Sequence, residues 1–323
     1  MIRALDLNDN SERALQVGAL KDMLLRNVWL ELVDPTDEEI QAVSEKTGIL
    51  HQLLQLPTVD GKIDLRFEQD YNVIHFVVVR GIASAKEVHP VLMVFSKDYL
   101  VTVVKSSDQD IIDEAKLRMN KTKVDPPALV TYFIIDEIVS NHFIHLEKIE
   151  EFTSHIEEEV VGRTSHTVLK KILKLKTRLI SLNKILWYER GTVFKLKTCS
   201  DSCMPAKARS LFDSVHEDLT RQIDIVETYR EIMSDAINVH LSAVSNKINF
   251  SIQSLTIVIF YLTIVTTITS FPNTVATFFG ISQFGNSPII IIVVALLLST
   301  ILPVLWLWKK RWLKYEQHNF KLE

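Results

Sequence analysis

The stretch from Ile248 to Trp308, INFSIQSLTIVIFYLTIVTTITSFPNTVATFFGISQFGNSPIIIIVVALLLSTILPVLWLW, holds no Asp, Glu, Lys or Arg across its 61 positions. The hydrocarbon core of a bilayer, about 30 Å thick, takes roughly 20 apolar residues per helix. The stretch is therefore expected to hold two membrane spans and a connection. Pro272 lacks an amide donor and crowds the preceding turn, so it is expected to end a first span at 252–271. The connection, 272–287, is polar and uncharged and contains Gly280, Gly285, Asn286 and Ser287. Pro288 suits the first turn of a second span, 288–308. Lys247 precedes the first span, and Lys309-Lys310-Arg311 open a basic tail, 309–323. Basic flanks stay in the cytosol, which predicts a multi-pass cell-membrane protein with both termini cytoplasmic and the connection outside. Trp306, Trp308 and Trp312 fall where an interfacial aromatic belt sits. Met1 to Asp6 shows no signal-peptide pattern.

The two spans differ in character. The second is aliphatic from Ile289 to Leu298 and suits a lipid environment. The first carries a polar stripe at steps of three and four: Asn249, Ile252, Thr256, Ile259, Thr263, Thr266, Ser270 and Asn273. Six of these eight are polar, and all share one seam of a heptad-like repeat. Such residues serve as glue between packed helices, or they line a pore. One hairpin cannot enclose a pore, so the second reading requires an oligomer. With no charge in the seam, neutral oxygens suit a cation that keeps its water shell, as Mg2+ does.

The remainder of the 323 residues is globular in composition, and a net charge of −4 gives no sign of nucleic-acid binding. Residues 1–126 mix strand and helix patterns and predict a cytosolic α/β domain. Trp29–Val33, Val73–Val79, Val88–Phe95 and Tyr99–Val104 read as strands, the last two joined at Ser96-Lys97-Asp98. Thr36 with Glu39 forms a capping box that opens a helix to Thr47. Pro126-Pro127 marks a change to long helices in a layer at 127–204, one from Ala128 to about Glu159 and one from Thr167 to about Leu196. A third begins near Pro205 and meets no breaker before Pro272, on the order of 100 Å at 1.5 Å per residue. Its portion 205–251 reads as a stalk that joins a cytosolic body to the membrane. The fold class expected is an α+β membrane protein with a C-terminal two-helix hairpin.

Glu227-Thr228-Tyr229-Arg230-Glu231-Ile232, followed by Leu241-Ser242-Ala243-Val244-Ser245-Asn246-Lys247-Ile248-Asn249, closely resembles the stalk-to-membrane segment of the CorA magnesium channels. Phe133-Ile134-Ile135-Asp136 and His145-Leu146-Glu147-Lys148-Ile149-Glu150 resemble their helical layer. The resemblance runs along nearly the whole chain. It implies a funnel-shaped homopentamer in membrane lipid, a pore lined by the first span, a polar ring at Asn249, and Mg2+ as both cargo and regulator. It also implies that carboxylates between cytosolic domains bind the regulatory ion. Asp213, Glu217 and Asp218 are the candidates, although Ser214 stands where an acidic residue is expected. The family's Gly-Met-Asn signature at the outer end of the first span is missing. An ungapped count reaches Asn273-Thr274-Val275, which makes Asn273 the candidate for the outer mouth. Gly280-Ile281-Ser282, seven residues later, has a weaker likeness to the signature. The connection also lacks the Glu that the family often carries there.

The resulting expectation is passive Mg2+ uptake, with a Zn2+, Co2+ or Ni2+ transporter and a non-conducting membrane scaffold as alternatives. No phosphate-cradling glycine loop or nucleophile motif suggests an enzyme. Cys199 and Cys203 read as loop thiols, His142 and His145 as surface or packing residues, and Glu157-Glu158-Glu159 as a solvated helix end.

Overall fold

The continuous apolar runs at 73–79, 91–95 and 99–104 suit strands buried on both faces, and the fold bears this out. The structure is a computed structural model that describes residues 1–9, 11–56, 63–81, 87–119, 127–162, 166–200 and 203–279, together with eight residues of the second span between 290 and 305. The chain divides into two compact units, Met1–Leu241 and Ser242–Glu323.

The first unit is built on a seven-stranded sheet in the order β2-β1-β3-β7-β6-β5-β4. Its strands are β1 (Ile2–Asp6), β2 (Ser11–Leu15), β3 (Val28–Val33), β4 (Asp64–Phe67), β5 (Asn72–Val79), β6 (Val88–Phe95) and β7 (Tyr99–Val104). β3 and β7 run parallel, and every other pair is antiparallel. α1 (Val17–Asp22) and α2 (Asp37–Thr47) cover one face, where Leu30, Leu32, Val101 and Val103 meet Leu20, Ile40 and Val43. The capping box at the start of α2 forms as its sequence predicts: Thr36 Oγ1 accepts from the Glu39 amide, and Glu39 Oε2 accepts from the Thr36 amide. Gly48 ends α2 at φ +74°, a left-handed conformation that glycine adopts without a Cβ clash.

The opposite face carries Phe76, Val78, Met93, Phe95 and Leu100. It packs against α3 (Gln109–Met119) and α4 (Ala128–Gly162), and the same core continues through α5 (His166–Thr198) and the first part of α6 (Ala206–Phe279). The change of pattern after residue 126 is thus a change of secondary structure within one core. Two polar groups on this face are matched: Trp29 Nε1 donates to Thr102 Oγ1 at 2.9 Å, and buried Glu31 meets Lys116 Nζ at 2.6 Å.

Where α4, α5 and α6 meet, three polar side chains are enclosed. His142, Glu189 and Gln222 are each no more than 2% exposed. Gln222 donates to the Val139 carbonyl at 2.8 Å, and its Oε1 lies 3.3 Å from His142 Nδ1. Glu189 Oε2 stands 3.6 Å from the same nitrogen. His142, expected as a surface or packing residue, is therefore a packing residue, and His145 is buried too. Burial pushes the His142 imidazole down to about 4, against an opposing contribution from Gln222, and His145 lowers it further. Burial alone holds the Glu189 carboxyl well above its usual range. Both shifts favour the uncharged pair, a protonated carboxyl beside a neutral imidazole.

The linkage follows from proton counts. As pH falls through the ordinary carboxylate value near 4.5 the unfolded pair takes its second proton, and the folded pair takes its own at about 4, so the acid loss of stability is confined to that narrow interval. Between about 4.5 and 6.5 both states bind one proton and the pair is neutral to pH. Above 6.5 the unfolded pair binds none, so stability falls as pH rises for as long as the raised Glu189 carboxyl keeps its proton. Glu189→Gln keeps a neutral group of the same shape and removes that alkaline loss. The thermal midpoint of the full-length variant is expected to fall less between pH 6.5 and 8.5 than that of the parent protein. An equal fall in both would show that Glu189 is ionised in the fold.

In the second unit, α6 does not stop at Pro272, as the sequence reading expected, but continues to Phe279. Pro272 removes one donor, the partner of the Ile268 carbonyl. The bonds of the preceding turn persist because apolar surroundings offer their carbonyls no competing water. The first eight positions assigned to the connection, 272–279, are therefore helical, and 280–287 lie outside the described residues. In the second span, Ile290, Val293, Val294, Leu297, Leu298, Ile301, Leu302 and Leu305 are helical and exposed.

A candidate pore-lining helix

Among the described residues, α6 is the one helix long and apolar enough to cross a membrane, with a mean hydropathy of 1.8 in a window of which nothing is buried. Ten large apolar side chains between Ile248 and Val265 are roughly half exposed. Leaving each of them in water forfeits on the order of 1 kcal/mol. The total, about 10 kcal/mol, equals the net stability of a whole domain. This surface requires lipid or other protein around it.

All eight seam positions, from Asn249 to Asn273, are exposed. The half-buried positions of the span are Ile257, Ile264 and Ile268. At about 100° per residue they lie more than 120° round the helix from the middle of the seam. Exposure is shared by the opposite side, where Phe250 and Tyr261 lie, so what distinguishes the seam is its polarity.

Its hydroxyls have a common arrangement. Thr256 Oγ1 donates to the Ile252 carbonyl at 2.8 Å, Thr263 to Ile259 at 2.8 Å, and Thr266 to Thr263 at 2.9 Å. Each hydroxyl spends its one proton on its own helix and presents oxygen lone pairs outward. The waters around a cation point their hydrogens away from it and need acceptors. A wall of back-bonded threonines supplies acceptors at no cost in charge. The seam also extends further than the sequence reading placed it. Thr277, four residues beyond Asn273, is exposed and donates to the Asn273 carbonyl at 2.7 Å. Within the first unit, the same register is occupied by exposed Asp224, Thr228, Glu231, Asp235 and Asn238. Every one is polar, so the signal was present in the three-and-four spacing.

The regulatory candidates do not converge within one chain. Asp213 is paired with Lys197 at 2.5 Å, Asp218 lies 3.8 Å from Arg221, and Glu217 is exposed. Among the described residues no three His, Cys, Asp or Glu side chains stand close enough to hold a metal. Glu157 and Glu158 are exposed and Glu159 pairs with Lys171 at 2.8 Å, as a solvated helix end would. Cys199 is buried and its thiol donates to the Leu196 carbonyl at 3.2 Å. Burial, then Cys199 beside it, pushes the Cys203 thiol up, so that sulfur is not poised as a thiolate ligand. The basic tail and its tryptophans lie outside the described residues.

A family profile described as CorA-like Mg2+ transporter protein matches residues 26–311. The chain belongs to that family. It is a family of transporters, and the chain is not an enzyme. The cobalt/magnesium transport protein CorA of Thermotoga maritima is 27% identical over 232 residues, 68% of this chain and 64% of that protein's length. The protein of the same name from Methanocaldococcus jannaschii is 24% identical over 275 residues, 81% of this chain and 83% of the other. The complete structure of the M. jannaschii CorA magnesium transporter matches with a TM-score of 0.71 and 21% identity over 94% of this chain and 96% of that one, a likeness of fold.

Cysteine accessibility separates a water-lined seam from a helix-packing one. In proteoliposomes, a charged thiol reagent is expected to modify Thr256→Cys, Thr263→Cys and Thr266→Cys at least tenfold faster than Ile257→Cys or Ile264→Cys, about 1.4 kcal/mol in relative rate. Equal rates on both faces would remove the seam as a wall.

Proposed function

We propose that the protein is a homo-oligomeric membrane channel for divalent cations, with Mg2+ as its principal cargo. The observation that carries this reading is the uncovered, uncharged row of acceptor oxygens along α6. One helix cannot enclose water, so copies of α6 surround a common axis, and five is the number that the family resemblance favours. The cation passes with its water shell, hydrogen-bonded to Thr256, Thr263, Thr266 and Ser270 and flanked by Asn249 near the cytosolic end. Ile252 and Ile259 form the dry levels between them. The seam holds no titratable group, so nothing in it couples cation movement to protons, and transport is passive. It also lacks the imidazole and carboxylate ligands that transition metals select, which favours Mg2+ over Zn2+ or Ni2+. Co2+, named with magnesium in the relatives, is the informative competitor.

The second span faces lipid, and the basic flanks at Lys247 and Lys309-Lys310-Arg311 hold both termini in the cytosol. The helix end at Phe279 shifts the outer mouth. Asn273 was chosen for that role because Pro272 was expected to end the helix. With α6 continuing to Phe279, Gly280-Ile281-Ser282 follows the helix directly, in the place where the family carries its signature. Asn273 then forms a polar level about 9 Å inside the helix end, six residues from Phe279 at 1.5 Å each. Regulation by cytosolic Mg2+ requires Asp213 to leave Lys197 and join carboxylates of a neighbouring copy.

Flux of Mg2+ and Co2+ into proteoliposomes tests the reading. The parent protein is expected to pass both, faster than Zn2+ or Ni2+. Asn273→Ala is expected to slow Mg2+ about fivefold, the worth of one hydrogen bond of roughly 1 kcal/mol. Ser282→Ala is expected to alter the ratio of Mg2+ to Co2+. A parent protein that passes no divalent cation, with a folded oligomer in the membrane, would leave the scaffold reading in its place.

A further inference from the structure

The outer surface of the α4–α5 layer carries a second periodic feature, unrelated to the seam. On α5, Leu173, Ile180, Trp187 and Phe194 recur every seven residues, and each is about half exposed. They form an apolar stripe about 30 Å long on the side of the helix away from its core. Aromatic groups on it are capped by cations of the same helix: the Arg190 guanidinium lies 3.9 Å from the Trp187 ring centre, and Lys184 lies 5.8 Å from that of Tyr188. α5 carries nine Lys and Arg against one acidic residue, Glu189, which is buried. α4 is its complement, with eight Asp and Glu against a single Lys. Its exposed face presents Ile144, Glu147, Glu151 and Glu158, with Phe152 beside them.

We propose that the basic apolar stripe of α5 in one copy docks on the acidic exposed face of α4 in the next copy. This rests on the oligomer required by the pore reading and specifies where its cytosolic contacts lie. Charge selects the pairing. α5 on α5 sets cations against cations, and α4 on α4 sets carboxylates against carboxylates, whereas α5 on α4 joins opposite signs around an apolar strip. The contact joins two different surfaces, so it is heterologous and repeats from copy to copy around an axis until the ring closes. A bilayer surface would take up the basic stripe and leave the acidic one unexplained.

The test uses the full-length protein in detergent, with assembly mass read by light scattering. Trp187→Glu with Phe194→Glu is expected to reduce the mass to that of a single chain while helix content is unchanged, because both side chains are exposed in that chain. Lys170→Glu with Lys184→Glu, and separately Glu151→Lys with Glu158→Lys, are each expected to weaken the ring at least tenfold in dilution midpoint. The combination of both reversals is expected to recover most of that loss, which damage to a single chain's fold would not do. An unchanged mass in the first variant, or no recovery in the combined one, overturns the proposal. An intact ring that loses binding to anionic vesicles overturns it in favour of lipid as the occupant. A parent protein that forms the ring but passes no cation sinks the transport reading and leaves the interface standing.

Discussion

A polar group in apolar surroundings must find a partner on its own chain or carry an unmet desolvation cost, and the structure shows both outcomes. In the span of α6, each threonine of the seam bonds to the turn behind it, so the helix is complete before anything else arrives. What remains outward is acceptor capacity without charge. In the core of the first unit, Glu189 and His142 are closed in by three helices, and neither carboxyl oxygen of Glu189 is hydrogen-bonded. The first solution leaves a surface open to water. The second makes a centre that water does not reach. A helix layer that encloses such a pair is specific in its register, since sliding one helix by a turn would separate a carboxyl from its only close nitrogen.

Much of this was legible in the sequence because burial on both faces leaves a simple mark. β6 and β7 are apolar but for His89, Pro90 and Thr102, and their ends agree with the expected boundaries. Thr36 and Glu39 announced α2 through chemistry local to four residues. β1, β2 and β4 were not foreseen. β2 is a short polar edge strand, Ser-Glu-Arg-Ala-Leu, whose side chains are mostly exposed and carry no periodicity. Such a strand exists because β1 offers it a partner, and pairing across a sheet leaves no trace in a window of five residues.

The seam shows the same division. Its spacing could be read because helical period and polarity are both local. The end of the helix could not, because Pro272 has two meanings. In water a proline usually ends a helix, since the freed carbonyl and the chain beyond can turn to solvent. Where the freed carbonyl lies within the apolar layer, the turn before the proline has no water to unwind toward, and the helix continues. Glu189 was hidden for a related reason. A lone acid in the most basic helix of the chain reads as a surface residue, yet its isolation from other carboxylates was the sign that it points inward.

The continuation of α6 past Pro272 has a consequence for how the protein fits the bilayer. The charge-free part of the helix, 248–279, extends about 48 Å at 1.5 Å per residue, well beyond a hydrocarbon thickness of about 30 Å. Ordinary tilts near 20° shorten it by only a few ångströms. Measured from Ile252, the hydrocarbon ends at about Pro272. The proline therefore sits at the level where headgroups and water begin, and the carbonyl it leaves without a donor is about one turn below that boundary. Asn273 and Thr277 then stand above the oily layer, at the depth of the headgroups.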